Sequence, residues 1–179
     1  MTNRARLTIS LLVLIAVGVL VWLLFIKDDG DDSGGAPAAQ KTVTNYSASE
    51  LPGAVNSVGN PVYWLGPEAG DQYELTVIGD GRTYVRYLPE GVPAESGEAF
   101  RTVGSYAFQD PVKELERLGR RPGNHTFTVP GGGVGVSPGS PSAHVYVAFP
   151  DQNVEIEVFD PDPGDAEQSV KRGDLIPIR

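Results

Sequence analysis

Residues 7–26 form a run of 20 without a charge, relieved only by Thr8, Ser10 and Gly18. A helix built from it is about 30 Å long, which matches the hydrocarbon core of a bilayer. The run is not amphipathic, which argues against a helix half-buried in a soluble core. Trp22 and Phe25 lie near its far end, where interfacial aromatics gather. Arg4 and Arg6 precede it, and Asp28, Asp29, Asp31 and Asp32 follow Lys27. Two arginines against one lysine place the N-terminus inside. The expectation is a cytoplasmic segment over 1–6, a transmembrane helix over 7–26 and an extracytoplasmic remainder, in a single-pass protein of the cell membrane. A cleaved signal peptide is the competing reading. Its apolar region is usually shorter, about 7–15 residues, and the small-residue site Ala36-Pro37-Ala38 lies well past the run.

Charge is divided as unevenly as hydrophobicity. The whole chain of 179 residues carries −9, from 14 basic and 23 acidic residues. Arg4 and Arg6 are the only charges before residue 27, so residues 27–179 hold 12 basic and 23 acidic groups, a net −11. An acidic domain is poorly suited to neutralising phosphates, so nucleic acid is not an expected partner. The chain has no cysteine. That removes disulfides, thiolate metal sites and a cysteine nucleophile, and with them a lipid anchor on cysteine. Residues 27–45, rich in Asp and Gly and then in Ala and Pro, have no periodicity and predict a disordered tether. Such a coil spans roughly 24 Å root-mean-square. Residues 46–179 are left to form one domain.

Within 46–179 the pattern predicts α+β: an antiparallel sheet of hairpins with two to three short helices against it. A helix is expected from an N-cap at Ser49 to Gly59, since Pro52 is tolerated only in a first turn. A strand is expected over 61–65. Residues 73–78 and 82–88 predict a hairpin closed by Gly79-Asp80-Gly81, with Tyr73 opposite Tyr87, Leu75 opposite Val85, Val77 opposite Thr83, and Glu74 facing Arg86 on the other side. A strand over 100–108, an Asp110-capped helix to Leu118 and a strand around Phe127 and Val129 come next. Residues 143–149 and 154–159 predict the clearest hairpin, with Val147 opposite Ile156 and Val145 opposite Val158. Asp162-Pro163 is expected to open a last helix that ends near Gly173.

Candidate chemistry is sparse. Gly135-Val136-Ser137-Pro138-Gly139 fits the nucleophile-elbow pattern, but Pro138 lacks the N–H that an oxyanion hole needs there. It reads as a chance match in a Gly/Ser/Pro loop. Gly131 to Gly135 has no following Gly-Lys-Ser/Thr, so it reads as a flexible or bulged connection rather than a phosphate loop. Asp160, Asp162 and Asp165 could suggest calcium, but a calcium loop needs regularly alternating oxygens and a downstream bidentate Glu. Two prolines restrict the backbone here, and helix capping explains Asp162. No metal or other cofactor is expected. The outer face of the last hairpin gathers His144, Tyr146, Glu155 and Glu157, with Tyr146 opposite Glu157 and His144 opposite Phe159. Glu155, Glu157 and His144 are the candidate acid–base residues and Tyr146 a candidate ligand contact; a solvated sheet face is the plain alternative. Lys113, Arg117, Arg120 and Arg121 would make a basic stripe for lipid headgroups or anionic wall polymers, provided the helix continued one more turn. The sequons at Asn45 and Asn124 matter only in a host that glycosylates them.

Pro61-Val62-Tyr63-Trp64-Leu65-Gly66, Tyr73-Glu74-Leu75-Thr76 and Tyr84-Val85-Arg86-Tyr87-Leu88-Pro89 resemble segments of uncharacterised, membrane-anchored proteins of high-GC Gram-positive bacteria. The resemblance spans most of 49–161 and implies a cell-envelope location. It carries no activity and assigns no residue a role. The expected function is therefore a non-catalytic extracytoplasmic module that binds an envelope protein, a wall polymer or a small ligand. The alternatives are a carboxylate-dependent envelope hydrolase and an accessory subunit of a membrane complex.

Overall fold

The structure is a computed structural model that describes residues 40–179. The expected cytoplasmic segment, transmembrane helix and first part of the tether lie outside the described residues. Among the described residues no helix is long and apolar enough to cross a membrane.

An α+β domain is observed. Its strands are β1 (Lys41–Tyr46), β2 (Tyr63–Trp64), β3 (Asp71–Ile78), β4 (Thr83–Pro89), β5 (Thr102–Ala107), β6 (His125–Val129), β7 (Gly133–Ser137), β8 (His144–Ala148), β9 (Val154–Phe159) and β10 (Ile176–Pro177). Its helices are α1 (Leu51–Val55), α2 (Pro111–Gly119) and α3 (Asp165–Arg172). Eight strands form one sheet in the order β1-β3-β4-β5-β9-β8-β7-β6, and every neighbouring pair is antiparallel. Two meanders make this sheet, one from β1 to β5 and one from β6 to β9. They meet in the middle through their last strands. β2 and β10 pair separately.

The period-two pattern sets which side chains go where. Tyr73, Leu75, Val85, Tyr87, Val103, Val145, Val147, Ile156 and Val158 share one face. They form a single buried cluster with Leu51 and Val55 of α1, residues 62–65, Ala166 and Val170 of α3, Leu175 and Ile178. Tyrosines on this face tie down the chain above it. The Tyr87 hydroxyl accepts from Leu65 N–H at 2.6 Å and donates to Gly66 O, and the Tyr73 hydroxyl accepts from Glu68 N–H at 2.7 Å. On the opposite face α2 packs over β6, β7 and β8 and buries Pro111, Leu115 and Leu118.

Both expected hairpins have the register read from the sequence, including Glu74 opposite Arg86 and Tyr146 opposite Glu157. Elsewhere local detail differs. Residues 41–45, assigned to the tether, belong to β1, because Thr42, Val43 and Thr44 suit an edge strand that β3 can hold. α1 is preceded by Glu50 rather than Ser49 and stops at Val55. Glu50 reaches back to the Ser47 N–H at 2.9 Å and the Ser47 hydroxyl at 2.7 Å, as in a capping box. These bonds hold the Glu50 carboxyl below the usual carboxylate range. Asp110 sits in the left-handed region (φ 53°) and makes no side-chain cap. α3 starts at Asp165 rather than beside Asp162, and ends as expected at Gly173.

Gly131 and Gly132 make the expected connection, a turn with both residues at positive φ. In place of the expected loop, Gly133 to Ser137 form β7. Its glycines are sites of close approach. A side chain on Gly135 would meet the Phe127 ring at 2.5 Å, and one on Gly133 would meet the Phe149 ring at 2.8 Å. The aromatic rings supply the burial that a strand glycine lacks.

Candidate functional site

The face opposite the apolar cluster is polar, and its residues line up in register. One row crosses the sheet as Val43, Thr76, Tyr84, Gly104, Glu157, Tyr146, Val136 and Thr126, one residue from each strand. A neighbouring row runs Glu74, Arg86, Thr102, Phe159 and His144. Four of the sequence candidates, His144, Tyr146, Glu155 and Glu157, lie on this face near its centre.

Glu157 is the hub. It is 2% exposed, accepts from the Tyr106 hydroxyl at 2.7 Å and sits 2.8 Å from His144 Nδ1. The Tyr106 contact depends on Gly104, the residue directly opposite Glu157 on β5. A side chain on Gly104 would lie 2.3 Å from the Tyr106 hydroxyl, so its absence lets the phenol lie along the strand and reach the carboxylate. The Tyr84 ring meets Tyr106 edge-on at 5.7 Å, and the His144 ring lies 5.0 Å from Phe159. Burial pushes the Tyr146 and Tyr106 phenols up, and the Glu157 charge pushes them further. Burial also pushes Glu155 up to about 7, helped by the charges of Glu157 and of Glu114 on α2. Glu74 and Arg86 form an ion pair at 2.9 Å in the same face, 0% and 2% exposed, with the guanidinium 5.4 Å from the Phe100 ring.

A second polar cluster lies where β6, β7 and α3 meet. Ser137, fully buried, donates its hydroxyl to Glu167 Oε2 at 2.6 Å. His125 Nε2 lies 3.0 Å from the same carboxylate, and Lys171 Nζ lies 2.5 Å from it. Burial alone would raise Glu167, but hydrogen bonds from Lys171, Ser137 and His125 outweigh it and pull the carboxyl down to about 2. Serine, histidine and glutamate thus come together in an order that suits no acyl transfer. The carboxylate is central and accepts from the serine hydroxyl, whereas in a triad the histidine stands between serine and carboxylate. Ser137 is also a strand residue here, with no turn into a helix.

The helix α2 does not continue through the extra turn on which the basic stripe depends. α2 ends at Gly119, Arg120 occupies its C-cap and Arg121 turns back to Leu118 O. Arg117 is paired with Glu114. Carboxylate oxygens of Asp160, Asp162 and Asp165 lie within 4.8 Å of one another. Asp160 is committed to Arg101 Nε at 2.6 Å and to the Asp162 N–H at 3.0 Å, an internal arrangement that closes the turn into α3.

Sequence reasoning missed Tyr84, Tyr106 and Gly104. The alternation in 82–88 and 102–107 could have put both tyrosines on the polar face. Their convergence on Glu157 needed the pairing of β5 with β9, which are about 50 residues apart and share no turn. No family model matches the chain, and no curated protein or solved structure matches it either.

Proposed function

We propose that this chain is a membrane-anchored extracytoplasmic binding module of the cell envelope, and that it receives its ligand on the polar sheet face around His144, Glu155 and Tyr106. The observation that carries this reading is the commitment of the reactive groups. Glu157 is held by Tyr106 and His144, and Ser137 by Glu167. Groups held in this way give the face a fixed shape and charge pattern that a ligand can meet. His144, Glu155 and Tyr106 remain partly exposed and can meet a ligand at the rim of the buried network. The anchor and the acidic exterior domain argue for an uncharged or cationic partner close to the membrane.

A hydrolase is the second reading, favoured by one observation. Glu155 is raised to about 7 while Glu157 beside it is hydrogen-bonded, and a pair of carboxyls in unlike environments is how acid and base roles are divided. One experiment separates the two. Full-length protein in nanodiscs is incubated with fractionated envelope extract, and His144 and Glu155 are footprinted with diethylpyrocarbonate and a carbodiimide. The binding reading expects one fraction to protect both residues and to be recovered chemically unchanged. Cleavage of that fraction, lost in Glu157→Gln, would establish the hydrolase instead.

A further inference from the structure

The large sheet ends in two open strands, and their surroundings differ in charge. β6 pairs with β7 alone, and no second strand covers its outer side among the described residues. Alternate N–H and C=O groups along it therefore point outward, where another chain can pair with them. Exposed edges are commonly guarded by Lys or Pro, and His125–Val129 contains neither. A groove of about 420 Å³ runs between this strand and the C-terminal end of α2, lined by Glu116, Gly119, Arg120, Thr126, Thr128 and Val134. Gly119 lets the helix come close to the strand, since a side chain there would collide with Thr126.

Charge selects the occupant. Residues 111–129 hold Lys113, Arg117, Arg120 and Arg121 against Glu114 and Glu116, so four minus two gives +2 within a part of the chain that carries −11. Arg117 is paired with Glu114, but the Arg120 and Arg121 side chains have no ion pair among the described residues. On the other side of the strand Lys171 lies 4.8 Å from the Phe127 ring. Glu116 is the one carboxylate lining the groove. The space beside the opposite edge, β1, is lined instead by Glu50, Asp71 and Glu90. A second copy suits β6 poorly. Its β6 would set Arg120 and Arg121 against their own kind, and its β1 has Lys41 as its only charge. We propose that the β6 edge is a peptide-docking site, and that its occupant is an extended acidic segment of a partner protein, added as a ninth strand. Period-two alternation gives the acidic side chains of that segment to Arg120 over the groove and its apolar ones to Phe127. This site is separate from the polar face around His144 and does not rest on what binds there.

Titration of the full-length chain in nanodiscs with a synthetic peptide tests it. The probe has roughly eight residues alternating glutamate with valine, enough to cover a strand of ordinary length. It should slow hydrogen exchange in 125–129 and leave 41–46 unchanged. Exchanging its glutamates for lysines should weaken binding by about tenfold or more, and Arg120→Glu should weaken binding of the acidic peptide several-fold. Arg120 is exposed, so the unfolding midpoint of that variant should match the unmodified chain. Two further probes carry N-methyl groups on alternate residues. One of them should not bind, because it lacks the N–H groups that β6 carbonyls accept. The proposal is overturned if both methylated peptides bind like the parent, if β1 rather than β6 is protected, or if the lysine peptide binds equally well. Self-association of the chain through β6 in place of peptide binding would overturn it too.

Discussion

Both faces of the large sheet contain fully buried side chains, and they are buried by opposite means. On one face Val85, Val103, Val145, Val147, Ile156 and Val158 are all fully buried, and their stabilisation is the removal of apolar area from water. On the other, Glu74, Arg86, Tyr84 and Glu157 are at most 3% exposed, and each must find a partner or cost free energy. The apolar face tolerates approximate partners of the right size. The polar face depends on particular contacts, such as Gly104 making room for Tyr106, and fails when one member is removed. Burial alone does not distinguish a packing surface from a poised one; the hydrogen-bond pattern does.

The largest test of this contrast is to strand a charge. Arg86→Met leaves Glu74 buried without its cation and should cost about 3–5 kcal/mol, read by urea unfolding. The double change Glu74→Leu with Arg86→Met should recover most of that loss, whereas no second change on the apolar face would behave so. Ile156→Ala, directly behind this network, should cost about 2–5 kcal/mol from lost transfer and cavity terms. If Arg86→Met proves the milder of the two by a wide margin, the polar face is less committed than argued.

Gly104→Ala should cost about 1–3 kcal/mol, because the Tyr106 phenol must shift. It should also break the Tyr106–Glu157 contact, visible as a changed tyrosine absorbance titration; Tyr106→Phe in the same background should then add little. The pH dependence of stability separates the regions by sign. The folded-state Glu155 carboxyl is raised, so its share of stability is complete below about 4.5 and is lost as pH rises through about 7. The loss is on the order of 1–3 kcal/mol. Glu167 is depressed, so its share is present above about 4.5 and is lost as pH falls towards about 2. Glu155→Gln should flatten the upper limb alone and Glu167→Gln the lower limb alone, measured by thermal unfolding against pH. The smallest effect is a gain. Thr76 is 2% exposed and its hydroxyl has no hydrogen-bond partner, so Thr76→Val should stabilise by about 1 kcal/mol.

What the sequence disclosed followed the range of the interactions. Both hairpins, their registers and the membership of the His144, Tyr146, Glu155 and Glu157 face came from period-two alternation and short turns, which are local. β7 was hidden because Gly133 and Gly135 mark a loop when read alone; the rings that fill the space beside them come from elsewhere, Phe127 from β6 and Phe149 from just past the end of β8. β1 was hidden because an edge strand with few apolar side chains reads like a tether until β3 lies beside it. The candidate site was half legible for the same reason. His144 and Glu157 sit on one hairpin, whereas Tyr106 and Tyr84 come from the other meander.

The seam between β5 and β9 also has a kinetic consequence. Every other pairing in the large sheet joins strands of one meander, so each half can zip from its own turns at small loop-closure cost. The seam alone ties residues about 50 apart, and its contacts return stability only after both halves are in place. Folding should therefore proceed through two local nuclei that dock late, with low φ-values for Val103 and Val158 and higher ones within the β3–β4 and β8–β9 hairpins. The polar network straddles this seam, so the candidate site is the last part of the domain to assemble.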